Sequence, residues 1–254
     1  IYQSNNATDN VATISQSGAT NTALSYQIAN ASSSTATTSQ SGTSNQSFAF
    51  QASGADNSIV IDQLTTGSLN VVQVYQGDGA ATNRNSTSVT QRGTSNTAQA
   101  DVLGNDNVMT ASQTGRSNLI RGILTVSPFS LFASQYGNRG LITITQTSPD
   151  AGPGNRADVD QRGNDNVMTI DQSGTSHLSR TRQSAGAASS TATVGQSGST
   201  NSGTITQFTG TGNQATIDQL TTGSGNIAVI TQGVNTTTAS NNNTSTITQR
   251  GNSN

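Results

Sequence analysis

The chain has no cysteine, no tryptophan, no lysine and no glutamate among its 254 residues. Without cysteine there can be no disulfide scaffold, no thiolate metal site and no thiol catalysis. A single histidine, His177, excludes any mechanism that needs two. No apolar run is long enough for a membrane helix, so no membrane insertion is expected. Charge is scarce. Ten arginines against twelve aspartates give a formal net charge of −2, which is no footprint for nucleic acid. Leu, Ile, Val and Phe together supply 44 residues, too few for an ordinary core at this length. Such a composition defaults to disorder, but disorder also calls for high net charge. Here the polar mass is Asn, Gln, Ser, Thr and Gly. The chain opens at Ile1 with no basic stretch followed by an apolar one, so any export signal is expected to have been removed already.

What is present is a repeat. Eighteen of the 23 glutamines close a seven-residue segment: Gln16, Gln27, Gln40, Gln51, Gln63, Gln76, Gln91, Gln113, Gln135, Gln146, Gln161, Gln172, Gln183, Gln196, Gln207, Gln219, Gln232 and Gln249. Seventeen of the twenty segments open on Asn or Ser: Asn10, Asn21, Ser34, Asn45, Asn57, Asn70, Asn85, Asn96, Asn107, Asn118, Asn155, Asn166, Ser190, Asn201, Asn213, Asn226 and Asn243. The other three open on Phe129, Gly140 and His177, and two segments close on Val102 and Leu124 instead of Gln. The recurring connector is Q-x-G-x-x-N, with turn glycines at Gly18, Gly42, Gly93, Gly115, Gly163, Gly174, Gly198 and Gly251.

Seven residues is strand length and too short for a helix. With Asn as position one and Gln as position seven, positions three and five never carry a charge, while ten charged residues all fall at even positions. Odd positions therefore face in and even positions face out. A four-residue connector cannot hold a crossover helix, but it can turn the chain in a β-arc, with Gly supplying positive φ. The expectation is an all-β, two-sheet β-solenoid of parallel, in-register coils. It would run over 1–254 as one unit, with twenty strands from 10–16 to 243–249 and about ten coils. Buried amides must be paired. In register, Asn stacks on Asn and Gln on Gln, each donating to one coil and accepting from the other. The plainer explanation, that Asn and Gln merely suit turns, does not account for Gln recurring at one fixed phase.

The pattern N/S-x5-Q-x-G-x-x-N-x-A-x3-Q resembles the curlin repeat of bacterial curli fibres. Residues 10–27 (NVATISQSGATNTALSYQ) match at every signature position, and 34–51 and 190–207 nearly so. The resemblance implies a secreted, extracellular, cell-surface subunit that polymerises into functional amyloid in the biofilm matrix. It also implies a minor curlin as nucleator and an outer-membrane secretion channel as partners, and no enzyme activity. Several connectors, notably 77–84 and 233–242, are longer than the repeat's own. The termini read as a strand tail (Ile1-Tyr2-Gln3) and an arc (249–254) without a capping helix, which predicts head-to-tail self-stacking.

Outward residues can be aligned from the register. Asp158 and Asp160 should pair with Arg180 and Arg182 at the surface, each pair contributing less than about 1 kcal/mol. Calcium is the weaker reading of two carboxylates alone. Leu24, Tyr26, Phe48, Phe50 and Tyr75 should form an apolar stripe suited to lateral packing or adhesion, or simply to stacking. The apolar stretch 119–133, with Pro128 before a strand, reads as an irregular coil with an apolar plug. His177 reads as a ladder substitute. No cofactor and no catalytic or metal residues are expected. The rival classes are a monomeric binding solenoid, such as an ice-binding protein or adhesin stalk, and a β-helix enzyme. Thr143/Thr145, Thr204/Thr206 and Thr246/Thr248 favour the ice-binding reading slightly, but they are not expected on consecutive coils of one face. Scattered acids disfavour the enzyme.

Overall fold

A computed structural model describes residues 1–3, 6–64, 67–77, 82–122, 133–220, 224–233 and 241–253. The repeats become strands of two parallel sheets. The first sheet holds β1 (Tyr2–Gln3), β3 (Thr22–Ser32), β5 (Gln46–Ala55), β7 (Val71–Gln76), β9 (Thr97–Asn105), β11 (Leu119–Gly122), β12 (Ala133–Asn138), β14 (Arg156–Arg162), β16 (Leu178–Ala188), β18 (Ser202–Thr211) and β20 (Ile227–Gln232). The second holds β2 (Val11–Gln16), β4 (Thr35–Gln40), β6 (Ser58–Leu64), β8 (Ser86–Thr94), β10 (Val108–Arg116), β13 (Leu141–Thr147), β15 (Val167–Thr175), β17 (Thr191–Ser199), β19 (Gln214–Leu220) and β21 (Thr244–Arg250). The result is a two-sheet β-solenoid of about nine turns.

The count is nine rather than ten because two of the expected strands share one rung. β11 and β12 both pair with β9 on one side and β14 on the other. β11 and β12 therefore occupy one rung between β9 and β14, one after the other. The expected plug, with Leu124, Pro128 and Phe129, lies outside the described residues.

Inward positions three and five form the core. Ile59, Ile61, Ile142, Ile144, Met168, Ile170 and Ile217 are among its fully buried side chains. It is a narrow strip between two sheets, which is why so little apolar residue suffices. Each rung is held mainly by the rungs above and below it.

The arcs use two left-handed residues where the sequence suggested one. All eight expected turn glycines have positive φ. Gly93, at φ 100°, also lies so close to the next coil that a Cβ there would sit 2.0 Å from the carbonyl oxygen of Gly115. The residue just before position one is in most arcs left-handed too; it is most often Ser, Thr, Asp or Arg, as at Ser44, Arg84, Ser95, Asp106 and Asp165, but also Leu69, Asn242, Gly212 and Gly225. Short polar side chains tolerate this region best.

Candidate functional site

In the second sheet's interior, every ladder glutamine from Gln40 to Gln219 has both amide protons in use. Gln16, Gln40, Gln63, Gln91, Gln113, Gln146, Gln172, Gln196, Gln219 and Gln249 form one unbroken column, each Nε2 donating to the next Oε1 at 2.6–2.9 Å. The second proton goes to a carbonyl at the start of the preceding strand in the opposite sheet, as from Gln40 to Thr22 and from Gln63 to Gln46. The glutamines therefore staple along the axis and across the sandwich at once. The donor always points towards the C-terminal rung, so the column has a direction.

The first sheet's column breaks once. Gln3, Gln27, Gln51 and Gln76 are linked, and so are Gln135, Gln161, Gln183, Gln207 and Gln232. Between them stands Val102, fully buried. Gln76 Nε2 turns instead to the Thr87 hydroxyl, 3.0 Å away in the opposite sheet. Gln135 Oε1 is buried without a hydrogen-bond partner.

The asparagines work differently from the expected amide-to-amide column. Asn Oδ1 accepts the backbone N–H of the residue above it, as Asn21 does from Asn45 and Asn96 from Asn118. Asn Nδ2 donates to carbonyls of its own arc and of the next coil's arc, as Asn96 does to Arg92 and Gly115. The same acceptor role runs through Asn10, Asn45, Asn57, Asn70, Asn85, Asn107, Asn118, Asn155, Asn166, Asn201 and Asn213. Direct Asn–Asn side-chain bonds are the minority, as from Asn70 to Asn45 and from Asn243 to Asn213. Asn226 donates to Gly251. Ser34 and Ser190 use their hydroxyls as the acceptor for Asn57 and Asn213. His177, 1% exposed, does the same with its ring. Nδ1 accepts from the Asn201 N–H at 3.3 Å, and Nε2 faces the Ser173 carbonyl at 3.2 Å. Burial holds its pKa below the usual imidazole value.

On the outer face of the first sheet, Asp158 pairs in register with Arg180, and Asp160 with Arg182. Each Nε–carboxylate distance is 3.5 Å. The carboxylates are not at an exposed surface, as the alignment suggested; their side chains are 3% and 4% exposed. Closer partners cover them. Arg156, two residues away on β14, grips both oxygens of Asp158, and Arg162 reaches Asp160 at 2.9 Å. Arg121 reaches Asp158 at 3.2 Å from the interrupted rung. Tyr136 donates its hydroxyl to Asp101, and burial followed by that bond raises its pKa well above the usual phenol value. At the arcs, two bidentate pairs, Arg84–Asp106 and Arg139–Asp165, join successive coils.

Tyr26, Phe48, Phe50 and Tyr75 lie on the same outer face with Leu24. Tyr2 extends the row, and neighbouring ring centroids are 5.2–6.2 Å apart. The outer face of the second sheet is different. Thr110, Thr143, Thr169, Thr193, Thr216 and Thr246 stand in register on six successive rungs, with Thr13 and Thr37 further along. The pairs Thr143/Thr145, Thr204/Thr206 and Thr246/Thr248 are indeed not on consecutive coils of one face, since β18 lies in the first sheet and β13 and β21 are not adjacent in the second; the column is built from single threonines that the pairs did not reveal. Asp62, Asp171 and Asp218 flank them, while the five stripe aromatics are on the other sheet.

Parallel rungs, amide columns and clamped arcs define the class: a polar-cored β-solenoid. The chain carries the curlin associated repeat, which matches at residues 31–64, 82–115 and 187–220. Each match covers a second-sheet strand, a first-sheet strand and the next second-sheet strand. A sequence search of curated proteins returns no match.

Proposed function

We propose that the chain is a structural subunit of an extracellular, curli-type functional amyloid fibre of the bacterial biofilm matrix. Copies stack head to tail on the cell surface, and the fibre contributes to adhesion and scaffolding. The observation that carries this reading is the one-way direction of the glutamine columns. Wherever a solenoid of such rungs ends, one end offers amide N–H groups and the other offers amide oxygens, together with matching open strand edges. Two copies therefore fit end to end and in one orientation. A minor curlin as nucleator and an outer-membrane channel for secretion belong to the same reading, by kinship of the repeat. Incubated at high concentration, the purified chain should form fibres with cross-β spacings near 4.8 and 10 Å. A stable monomer that never forms fibres would overturn the proposal.

The threonine column favours a second reading, a monomeric binding solenoid of the ice-binding kind. Thermal hysteresis in the monomer, lost when Thr143, Thr169 and Thr193 are replaced by bulky residues, would establish it. Fibres without hysteresis would dismiss it.

A further inference from the structure

The outer face of the first sheet gathers five of the chain's ten arginines onto three neighbouring rungs: Arg121 on β11, Arg156 and Arg162 on β14, and Arg180 and Arg182 on β16. Among the described residues, two carboxylates on these rungs, Asp158 and Asp160, lie beneath them; a third, Asp101, stands on the adjoining rung β9 and accepts from Tyr136. Asp158 and Asp160 are engaged at shorter range by Arg121, Arg156 and Arg162. Arg180 and Arg182 hold the same carboxylates only at 3.5 Å, and Arg180 leaves 51% of its side chain exposed. Five guanidinium groups exceed these carboxylates even with Asp101 counted, which leaves an excess of positive charge in a chain whose net charge is −2. On the next rung, Thr204 and Thr206 stand in register with Arg180 and Arg182, so two arginines and two threonines adjoin on neighbouring rungs of one face.

We propose that this face binds a linear anionic polysaccharide, with its sulfate or carboxylate groups held by Arg180 and Arg182. Guanidinium groups match the planar, bidentate geometry of such anions. The in-register rungs present these groups in rows that suit a chain lying across them. Thr204 and Thr206 beside Arg180 and Arg182, and Gln99 and Gln73 beyond Arg121 at the far side of the patch, are hydroxyls and amides that fit a polymer rich in hydroxyl groups. The aromatic row on the same sheet adds an apolar platform for the carbon-bound faces of sugar rings. Duplex DNA fits less well, because it carries a charge about every 1.7 Å and would meet the net-negative remainder of the molecule outside the patch.

The inference does not rest on fibre formation, and the test uses freshly purified soluble chain. The probes are dextran sulfate, polygalacturonate, unmodified dextran and a short DNA duplex. The expected result is binding of the acidic polysaccharides, weakened by salt, with no binding of dextran. Whichever of the two acidic chains binds more tightly identifies the anionic group. Arg180→Gln/Arg182→Gln should lower affinity by about tenfold or more. Arg84→Gln/Arg139→Gln removes the same charge at the arcs and should cost less than about twofold. Equal losses in the two variants would reduce the effect to net charge and overturn the site. Equal binding of dextran, or tighter binding of the duplex, would overturn the ligand. Circular dichroism checks folding; if the double variant is unfolded, Arg180→Gln alone carries the test.

Discussion

His177 shows what a side chain at position one does. It accepts one backbone N–H from the rung above and donates to an arc carbonyl, and a neutral imidazole protonated on Nε2 does both. Protonation turns Nδ1 into a donor facing the Asn201 N–H. The folded-state pKa is depressed, so between it and the unfolded value of 6.5 the unfolded chain binds more protons. The stability that His177 contributes is complete above about pH 6.5 and is lost as the pH falls through that value towards the folded pKa. His177→Asn should remove this portion of the acid sensitivity in denaturant titrations between pH 7.5 and 5, leaving stability at pH 7.5 within about 1 kcal/mol of the parent. An unchanged pH profile would show that the ring does not act as the acceptor. The ladder role of this residue was legible from its phase in the repeat. The Asn chemistry was not, because spacing shows which side chains stack but not whether an amide bonds its neighbour's side chain or its backbone. The left-handed residue before most position-one side chains was equally hidden, since Ser, Thr, Asp, Arg and Leu carry no glycine-like mark.

At the scale of the element, the weak link is the first sheet's glutamine column at Val102. The valine fills the core, but it leaves Gln76 diverted and Gln135 Oε1 unpaired. A buried acceptor without a partner costs about 1–3 kcal/mol. In the neighbouring rungs a glutamine occupies the same place, so Val102→Gln fits without new space. It would accept from Gln76 and donate to Gln135. The variant should be more stable by about 1 kcal/mol in urea unfolding, and hydrogen exchange should slow in β9, β12 and β14. A loss of stability would mean that the gap in pairing between β11 and β12 has already reshaped this rung. The sequence revealed the valine's departure from the pattern but not the merging of β11 with β12. The step from Asn118 to Phe129 is eleven residues, the same as a strand and its arc, so spacing cannot tell an arc from an interruption. Merging the two also decides which sheet each later strand joins, and that is why Arg121 meets Asp158.

The whole molecule is a one-dimensional stack, and its tolerance of change should differ from that of a globular core. In a globular domain, removing 24 consecutive residues takes out a share of every layer. Here residues 166–189 are one complete turn, and Ser190 already stands on Asn166 at a separation of 24. Their deletion joins left-handed Asp165 to Ser190, in the place where left-handed Ser189 precedes Ser190 now. β13 then meets β17, with Ile142 over Ala192, Ile144 over Val194 and Gln146 over Gln196. β14 meets β18, with Val159 over Ile205 and Gln161 over Gln207. Inside positions remain inside, both glutamine columns close across the cut, and Asp158 and Asp160 keep Arg156 and Arg162. Nearest-neighbour stacking therefore predicts that the shortened chain folds with the same β-sheet circular dichroism and a moderately lower melting temperature. Deleting 166–176 instead removes a single strand and its arc. It moves every later strand to the opposite sheet and brings Arg180 and Arg182 beside the threonine column. The one-strand deletion should be far less stable than the full-turn deletion, although it removes fewer residues. If the two behave alike, or the full-turn deletion alone fails to fold, the alternation of two distinct faces is not what specifies the stack.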